Sequence, residues 1–480
     1  MQFLHQIILI GGFALTSTVA LAGAPVDSGA LDPTFGSGGK VQISATATGV
    51  GGSNLVAADV AVQSNGKTIV AGYNDNNDCV LARLNVDGSL DTSFGGTNSF
   101  KPGFAGYGNC SFTGIAVRAD DRIVVATNKP YAASFVSQFT ANGVPDATFG
   151  QQYAATSITP VSGDSTNLAR VVIESNGTID TVGTYHDNAR NVNRFLFVQI
   201  SADGKTVAPL FTYEFGSGNN QDDHALDLGI DTQGRYVVGG YHRGANGNYD
   251  CAVIRIQHSL YDVDPSFGSG GEAIVAFDLG GDNGDFCNAL TVVKPSNYIV
   301  LGGHATADVG SGTYQAAVVA VLDNTGHIVE YGCAAVCQSE KFAFAFDNKP
   351  FAGRSNDISK LIVSGYDTRY QQIYAVGSGY QHGTTAYGNM FGVARLNLTG
   401  PPNLDTSLNG NGTVGVYFSE RPTMFGLPIT HNTGMSATLN GGKLVVAGYT
   451  STGTNAIAVT RLSAFDGIFK NAYDAPYYSP

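Results

Sequence analysis

The chain contains no tryptophan, only four Met, and only six Glu among its 38 acidic residues. Asp favours turns and Glu favours helix interiors, so the imbalance points to an all-β chain rich in tight turns. Charge is scarce as well, at 13% of residues, and the net charge is −13. Nucleic acids and anionic membranes are held by basic patches, which excludes both as partners. Lys-poor loops, with no Gly-rich loop leading into a helix, exclude a phosphate cradle. Without Trp, any stacking platform for a glycan falls to Tyr and Phe. After the first residues, no stretch reaches the 18 or more apolar residues of a membrane span.

The amino terminus reads as an export signal. A mostly apolar run from Ile7 to Leu15 precedes Ala20-Leu21-Ala22, an A-x-A cleavage pattern, although the preceding segment has no Lys or Arg. The expectation is a signal peptide over residues 1–22 and one folded domain over 23–480, exported to the periplasm or the medium. No Cys follows the expected cleavage site, so no lipid anchor is expected.

What the chain has in abundance is Gly, 63 residues, and repetition. The stretch LDPTFG at Leu31–Gly36 returns at Leu90–Gly95, Pro145–Gly150 and Val263–Gly268, with weaker copies at Phe211–Gly216 and Leu404–Asn409. Each copy follows the same grammar. In the first, Asp59–Gln63 is a strand, Ser64-Asn65-Gly66 a tight turn and Lys67–Tyr73 its hairpin partner; Cys79–Asn85 is a third strand. Asn-Gly and Asp-Gly between β-branched runs are strong hairpin signals. The second-strand signature occurs seven times, giving units of roughly 60–70 residues, enough for a four-stranded sheet with its loops. Nearly continuous apolar strands need both faces covered, which neighbouring blades of a ring supply. The pattern predicts a seven-bladed β-propeller of four-stranded antiparallel blades, expected as a monomer. A parallel β-helix has shorter rungs and lacks these hairpin turns.

The LDxxFG motif, the VAxQxxGKxxVAGY hairpin and the LARLNxDGSLDxSFG run resemble the delta-60 repeat family of bacterial exported proteins. That resemblance implies a propeller fold and carries no catalytic residues or substrate.

Two further deductions concern the scaffold. The chain opens with LDPTFG and a strand, Lys40–Ser44, but no hairpin before them, and ends on a third strand, Asn455–Ser463, without a fourth. Residues 31–44 are therefore expected to complete blade 7. Arg83, Arg255, Arg395 and Arg461 occupy equivalent places, and a motif Asp follows the first three: Asp91, Asp264 and Asp405. Arg–Asp pairs are expected, including Arg461–Asp32, although a turn Asp bonding its own backbone explains the Asp equally well. Among the cysteines, Cys79 and Cys251 share one place, and Cys110 and Cys287 another. Disulfides Cys79–Cys110 and Cys251–Cys287 follow, with Cys333–Cys337 as a local third pair.

Binding residues favour loops held by a rigid scaffold. Loops joining second and third strands, and loops between blades, share one face of a propeller. On that loop face the candidate ligand-binding residues are His186, His242, His304 and His382, each near the end of a second strand, with Asp222 and Asp285 from the inter-blade loops. Together they suit a divalent cation, calcium or magnesium, or a general base. The rival account is that His and Tyr are interchangeable at a strand end. The runs Asn74–Asp78 and Asp282–Asp285 resemble calcium loops without EF-hand spacing, and Gly163-Asp164-Ser165 is not a nucleophile elbow. The sequence supports a non-catalytic module for a protein, glycan or small-molecule partner; the alternative is a metal-dependent lyase or hydrolase at the channel mouth.

Overall fold

The computed structural model describes residues 29–463 apart from 97–99, 130–133, 152–153, 162, 217–220, 259–260, 332–337, 340, 348, 350–352, 365–371, 383–386, 399–400, 419–430 and 452–453. The expected signal peptide and the Cys333–Cys337 pair lie outside the described residues.

Each repeat folds into an antiparallel sheet whose strands lie in chain order. Blade 1 comprises Leu55–Val62, Thr68–Asn74, Cys79–Leu84 and Phe104–Tyr107. The first strands of blades 2 to 7 are Ser111–Val117, Ser165–Ile173, His224–Ile230, Gly280–Val293, Asp357–Ser364 and His431–Asn440. Each first strand packs against that of the next blade, and the seventh against the first. The protein is an all-β, seven-bladed propeller. Its second and third strands are almost wholly buried between neighbouring sheets, as in Thr68–Asn74 and Cys79–Leu84, which is why they read as apolar runs rather than alternating ones.

The ring closes as expected. Lys40–Ser44 lies antiparallel to Asn455–Ser463, with Lys40 opposite Thr460 and Ser44 opposite Ala456. The first ordered strand is thus the outer strand of blade 7, and the exposed edge of an open array is gone.

The repeated motif clasps neighbouring blades. Arg83 Nε lies 2.7 Å from Asp91 Oδ2, Arg255 Nε 2.8 Å from Asp264 Oδ2, and Arg395 Nε and Arg461 Nε 2.7 Å from Oδ2 of Asp405 and Asp32. The other carboxylate oxygen accepts from the backbone N–H two residues on: Ser93, Ser266, Ser407 and Thr34. Both explanations for the motif Asp hold at once, one per oxygen. Three of these guanidinium groups sit over the motif Phe, 4.7 Å from the Phe94 and Phe267 ring centres and 4.5 Å from Phe35. They then reach the next blade: Arg83 Nη1 donates to Ala141 O at 2.7 Å, Arg461 Nη1 to Val86 O at 2.5 Å, and Arg255 Nη1 to Asn324 O. The motif glycine does likewise, Gly36 N–H donating to Asp87 O at 2.7 Å. Gly88, in that turn, has φ +83°, and a Cβ there would lie 2.6 Å from Gly36 N, so only glycine fits.

Blade 2 uses the clasp in mirror image. Where blade 1 has Gln63, just past the first strand, facing Arg83 on the third, blade 2 has Arg118, just past its first strand, facing Gln138, joined at 2.6 Å. Arg118 Nη2 still donates to the next blade's turn, at Ala202 O, 2.7 Å away. The guanidinium has changed strand and kept its socket.

All seven first strands carry a bulge at the same register. The residues just past it are Asp59, Gly114, Arg170, Asp227, Ala289, Lys360 and Ser436. Arg170 Nη1 lies 2.9 Å from Asp59 Oδ2 and its Nε 3.1 Å from Asp227 Oδ1, while Lys360 Nζ lies 3.4 Å from Asp227 Oδ2. Blades 1 and 3, and 4 and 6, are not neighbours, so the Arg170–Asp59 and Lys360–Asp227 bonds each skip a blade along the inner strands of the ring, while Arg170–Asp227 joins neighbouring blades. Ser436 Oγ adds a 2.5 Å bond to Asp59, and the amides of Ile115 and Leu290 donate to the two Asp from blades 2 and 5. The order acid, small, cation occupies blades 1 to 3 and recurs in blades 4 to 6.

Candidate functional site on the loop face

The register separates the four candidate histidines. His304 lies one residue beyond the glycine that faces the bulge, Gly303, the place held by Tyr73, Tyr241 and Tyr449. His242 lies two beyond the corresponding Gly240, and His186 three beyond Gly183. Strand residues alternate in direction, so His242 turns away from the side His304 and His186 share. His382 ends the second strand of blade 6, Gln372–His382; its side chain lies outside the described residues. One set of equivalent histidines is therefore not what the fold makes of them.

His242 is buried against Phe215, ring centres 5.2 Å apart, and burial lowers its pKa. Its Nδ1 stands 3.9 Å from Asp223 Oδ1, and neither atom has a hydrogen-bond partner. Asp223 and Asp285 brace the crossovers between blades: Asp223 Oδ2 accepts from the Phe215 N–H at 3.0 Å and Asp285 Oδ2 from the Phe277 N–H at 2.5 Å. Asn356 fills the same place in blade 6, accepting from Phe346 N–H at 3.1 Å. Burial pushes Asp223 up to about 7 and Asp285 up to about 6. Asp285 thus stands in a structural position, away from His304's open side.

The side chains that do converge form a band across blades 3 to 6. His186 Nδ1 is 2.8 Å from Asn193 Oδ1, and Asn193 Nδ2 donates to Asp222 Oδ1 at 2.6 Å. Asp222 also meets His224 Nε2 at 2.7 Å and accepts from Tyr249 OH at 2.5 Å; the His224 bond, chiefly, holds this carboxyl well below the usual range. Aromatic rings continue the band: Tyr241 and Tyr249 each pack on Phe286, at 4.9 and 5.0 Å, and Phe286 stacks on His304 at 5.1 Å. His304 Nδ1 lies 3.0 Å from Asp357 Oδ1, which also accepts from Asn288 Nδ2 at 2.8 Å. Acceptance by a carboxylate fixes the His304 tautomer with Nδ1 protonated and Nε2 as the basic nitrogen. His304 remains 18% exposed.

Sequence reasoning placed His186, His304 and Asp222 in this band. It missed Asn193, Tyr241, Tyr249 and Phe286, which no spacing rule singles out and which only the pairing of strands from different blades brings together. Among the described residues, no three His, Cys, Asp or Glu side chains come together as a metal site. The Asn74–Asp78 run is accounted for by its own turn, Asn74 Oδ1 accepting from the amides of Asn76 and Asp78, and Asp164 accepts from Tyr185 OH.

Disulfides Cys79–Cys110 and Cys251–Cys287 form as expected. Each ties a third strand to the next blade's first strand. The expected equivalence of Cys110 and Cys287 does not hold: Cys287 lies within the first strand of blade 5, whereas Cys110 just precedes that of blade 2, two residues earlier in register.

Fold and site together define a propeller whose inner strands are tied by ion pairs, with a polar, aromatic band beside them. A family model described as "Domain of unknown function (DUF5122) beta-propeller" matches residues 63–94, from the blade 1 hairpin to its LDxxF. No curated protein matches the chain. Among solved structures, it is similar to the Trypanosoma rangeli sialidase bound to the inhibitor DANA, at 9% identity over 77% of this chain and 57% of that one, TM-score 0.41. It is similar also to the β-propeller domain of the Trilobed protease from Pyrococcus furiosus, at 9% identity over 88% and 100%, TM-score 0.40. The α-L-arabinofuranosidase Arb93A of Fusarium graminearum gives 10% identity over 85% and 93%, TM-score 0.38. The chain spans under two thirds of the sialidase's length, and none of these likenesses bears on what it binds.

Proposed function

We propose that the protein is an exported, non-catalytic binding module of the delta-60 repeat type, and that its ligand docks on the loop face of blades 3 to 6. The observation that carries this reading is the continuous band from His186 to Asp357, partly exposed, beside inner strands tied together by their own ion pairs. Rings of Tyr241, Tyr249 and Phe286 offer an apolar floor, while Asp222, His304 and Asp357 offer directional polar groups, the mixture that orients a small polar molecule or a glycan. A glycan and metabolite array decides it: Tyr249→Ala and His304→Ala should abolish the signal of any wild-type hit. A hit that survives both substitutions puts the ligand elsewhere.

A second reading is hydrolysis or elimination at the channel mouth, favoured by the Asp357–His304 pair, whose basic Nε2 is the pattern of a general base. Turnover of an ester, glycoside or lactone panel that disappears in His304→Gln, and that follows added calcium or magnesium, would replace the first reading with this one.

A further inference from the structure

The clasp that bridges each blade to the next has a different chemistry at one seam. Blade 3 has Gln199 where Arg83 stands in blade 1, Glu174 where Gln63 stands, and Asp180 in place of Ile69. Two carboxyls therefore sit where other blades seat a guanidinium. Gln199 Nε2 lies 3.2 Å from Glu174 Oε1, 3.2 Å from Asp180 Oδ1 and 2.7 Å from Tyr236 OH of blade 4. An amide has two hydrogens for these three acceptors. Asp180 is 0% exposed and its Oδ2 has no hydrogen-bond donor among the described residues, while the one Gln199 amide nitrogen, 3.2 Å from each carboxyl, holds Asp180 beside Glu174. A proton held between the two carboxyls would supply the missing donor.

The same groups make the cross-seam bonds. Tyr236 OH donates to Glu174 Oε1 at 2.8 Å, and the Gln199 N–H donates to Tyr261 OH at 2.9 Å. His258, from the blade 4 turn, stacks on Tyr236 with ring centres 5.4 Å apart and brings Nε2 to 3.6 Å from Glu174 Oε2. Arg118 of blade 2 bonds the carbonyl of Gly177 in the adjoining turn, 3.1 Å away. Among the described residues, these are the titratable and charged groups that face the pair.

We propose that the seam between blades 3 and 4 is a proton-controlled latch, shut while Asp180 and Glu174 share one proton and loosened when that proton passes to solvent. With both carboxyls ionised, two buried negative charges face each other with one amide and one phenol between them, and the repulsion acts across the bonds that hold blade 4. Burial first, and the Glu174 charge second, push Asp180 up to about 8, so the release falls in mildly alkaline solution. A raised carboxyl pKa means the folded protein binds the proton more tightly than the unfolded chain. Its contribution to stability is therefore full below about pH 4 and declines until about pH 8.

The test is hydrogen exchange of peptides covering residues 197–201 and 235–239 in the full chain, from pH 5 to pH 9, in wild type and Asp180→Asn. The wild-type to variant exchange ratio should climb about tenfold or more across that range, while peptides of blades 6 and 7 keep a constant ratio. A ratio that stays flat at the seam overturns the proposal. Should Asp180→Asn not fold, the carboxyl ¹³C titration of Asp180 in wild type decides: an inflection above pH 7 supports the latch, and one near 4 overturns it.

Discussion

Arg461 Nε and Asp32 Oδ2 lie 2.7 Å apart although 429 residues separate them in the chain. Both are buried, and Lys443 Nζ joins the same oxygen at 2.6 Å. This is the repeat's own clasp, assembled from the two ends of the domain. Removing Arg461 leaves buried Asp32 with Lys443 as its cation, so the cost is below the about 3–5 kcal/mol of a stranded buried charge. Arg461→Ala should lower the denaturation midpoint accordingly, and equilibrium unfolding in urea measures it. Because the closing strand depends on this pair, the variant should also self-associate on size-exclusion chromatography.

The motif carboxyls predict the acid limb of stability. Burial raises the pKa of Asp32, but bonds from Lys443, Thr34 and Arg461 outweigh it and hold the carboxyl well below the usual range. Asp264 and Asp405 are lowered by the same balance of Ser and Arg donors against burial. A folded-state pKa below the unfolded one gives stability that is complete above about pH 4 and lost as the pH falls through the folded value. Asp264→Asn should flatten the fall in thermal midpoint between pH 4 and pH 2. An unchanged acid limb would show that the donors do not favour the ionised form.

Asp223 runs the other way. Burial pushes it up to about 7, so its contribution declines as the pH rises from about 4 to about 7. Asn356 already does the same bracing with a neutral amide. Asp223→Asn should therefore raise the melting temperature at pH 8 by a few degrees and give little or no gain at pH 5. Calorimetry at the two pH values checks it.

The ion pairs of the inner strands make a sharper prediction. Asp227 is almost wholly enclosed and keeps its charge against burial through Lys360 and Arg170. Arg170→Met should cost about 3–5 kcal/mol, because Asp59 and Asp227 both lose a partner. Restoring neutrality with Arg170→Met in an Asp59→Asn background should recover part of that loss, a coupling measured by a double-mutant cycle.

Opening the Cys251–Cys287 bond, which closes a loop of 36 residues, should cost about 2–4 kcal/mol. Cys251→Ser with Cys287→Ser, unfolded in urea beside wild type, reads the difference.

Most of the scaffold was legible before any strand was paired. The LDxxFG copies, the hairpin turns and the recurring Arg each follow from local chemistry, and equivalence between copies turned Arg461–Asp32 and both described disulfides into deductions. The loop face resisted for a physical reason. One residue of register decides which way a side chain points: His304 stands one residue past Gly303, His242 two past Gly240. His242 and His304 look alike in sequence, yet one is sealed against Phe215 and the other opens beside Phe286. The blade 3 clasp was equally hidden, since Glu174 opens the hairpin turn and Asp180 lies on the second strand, and only the paired third strand brings Gln199 to both.

The alternation among the inner strands has a consequence for how such a molecule comes apart. Arg170 answers Asp59 inside the first three blades, and Lys360 answers Asp227 inside the next three. Each trio thus holds an ion pair of its own at the hub, and the seventh blade contributes the hydroxyl of Ser436. Arg170 Nε also reaches Asp227 across the boundary between the trios, so parting the molecule there breaks a hub ion pair, whereas parting it beside the seventh blade breaks the Ser436 bond to Asp59.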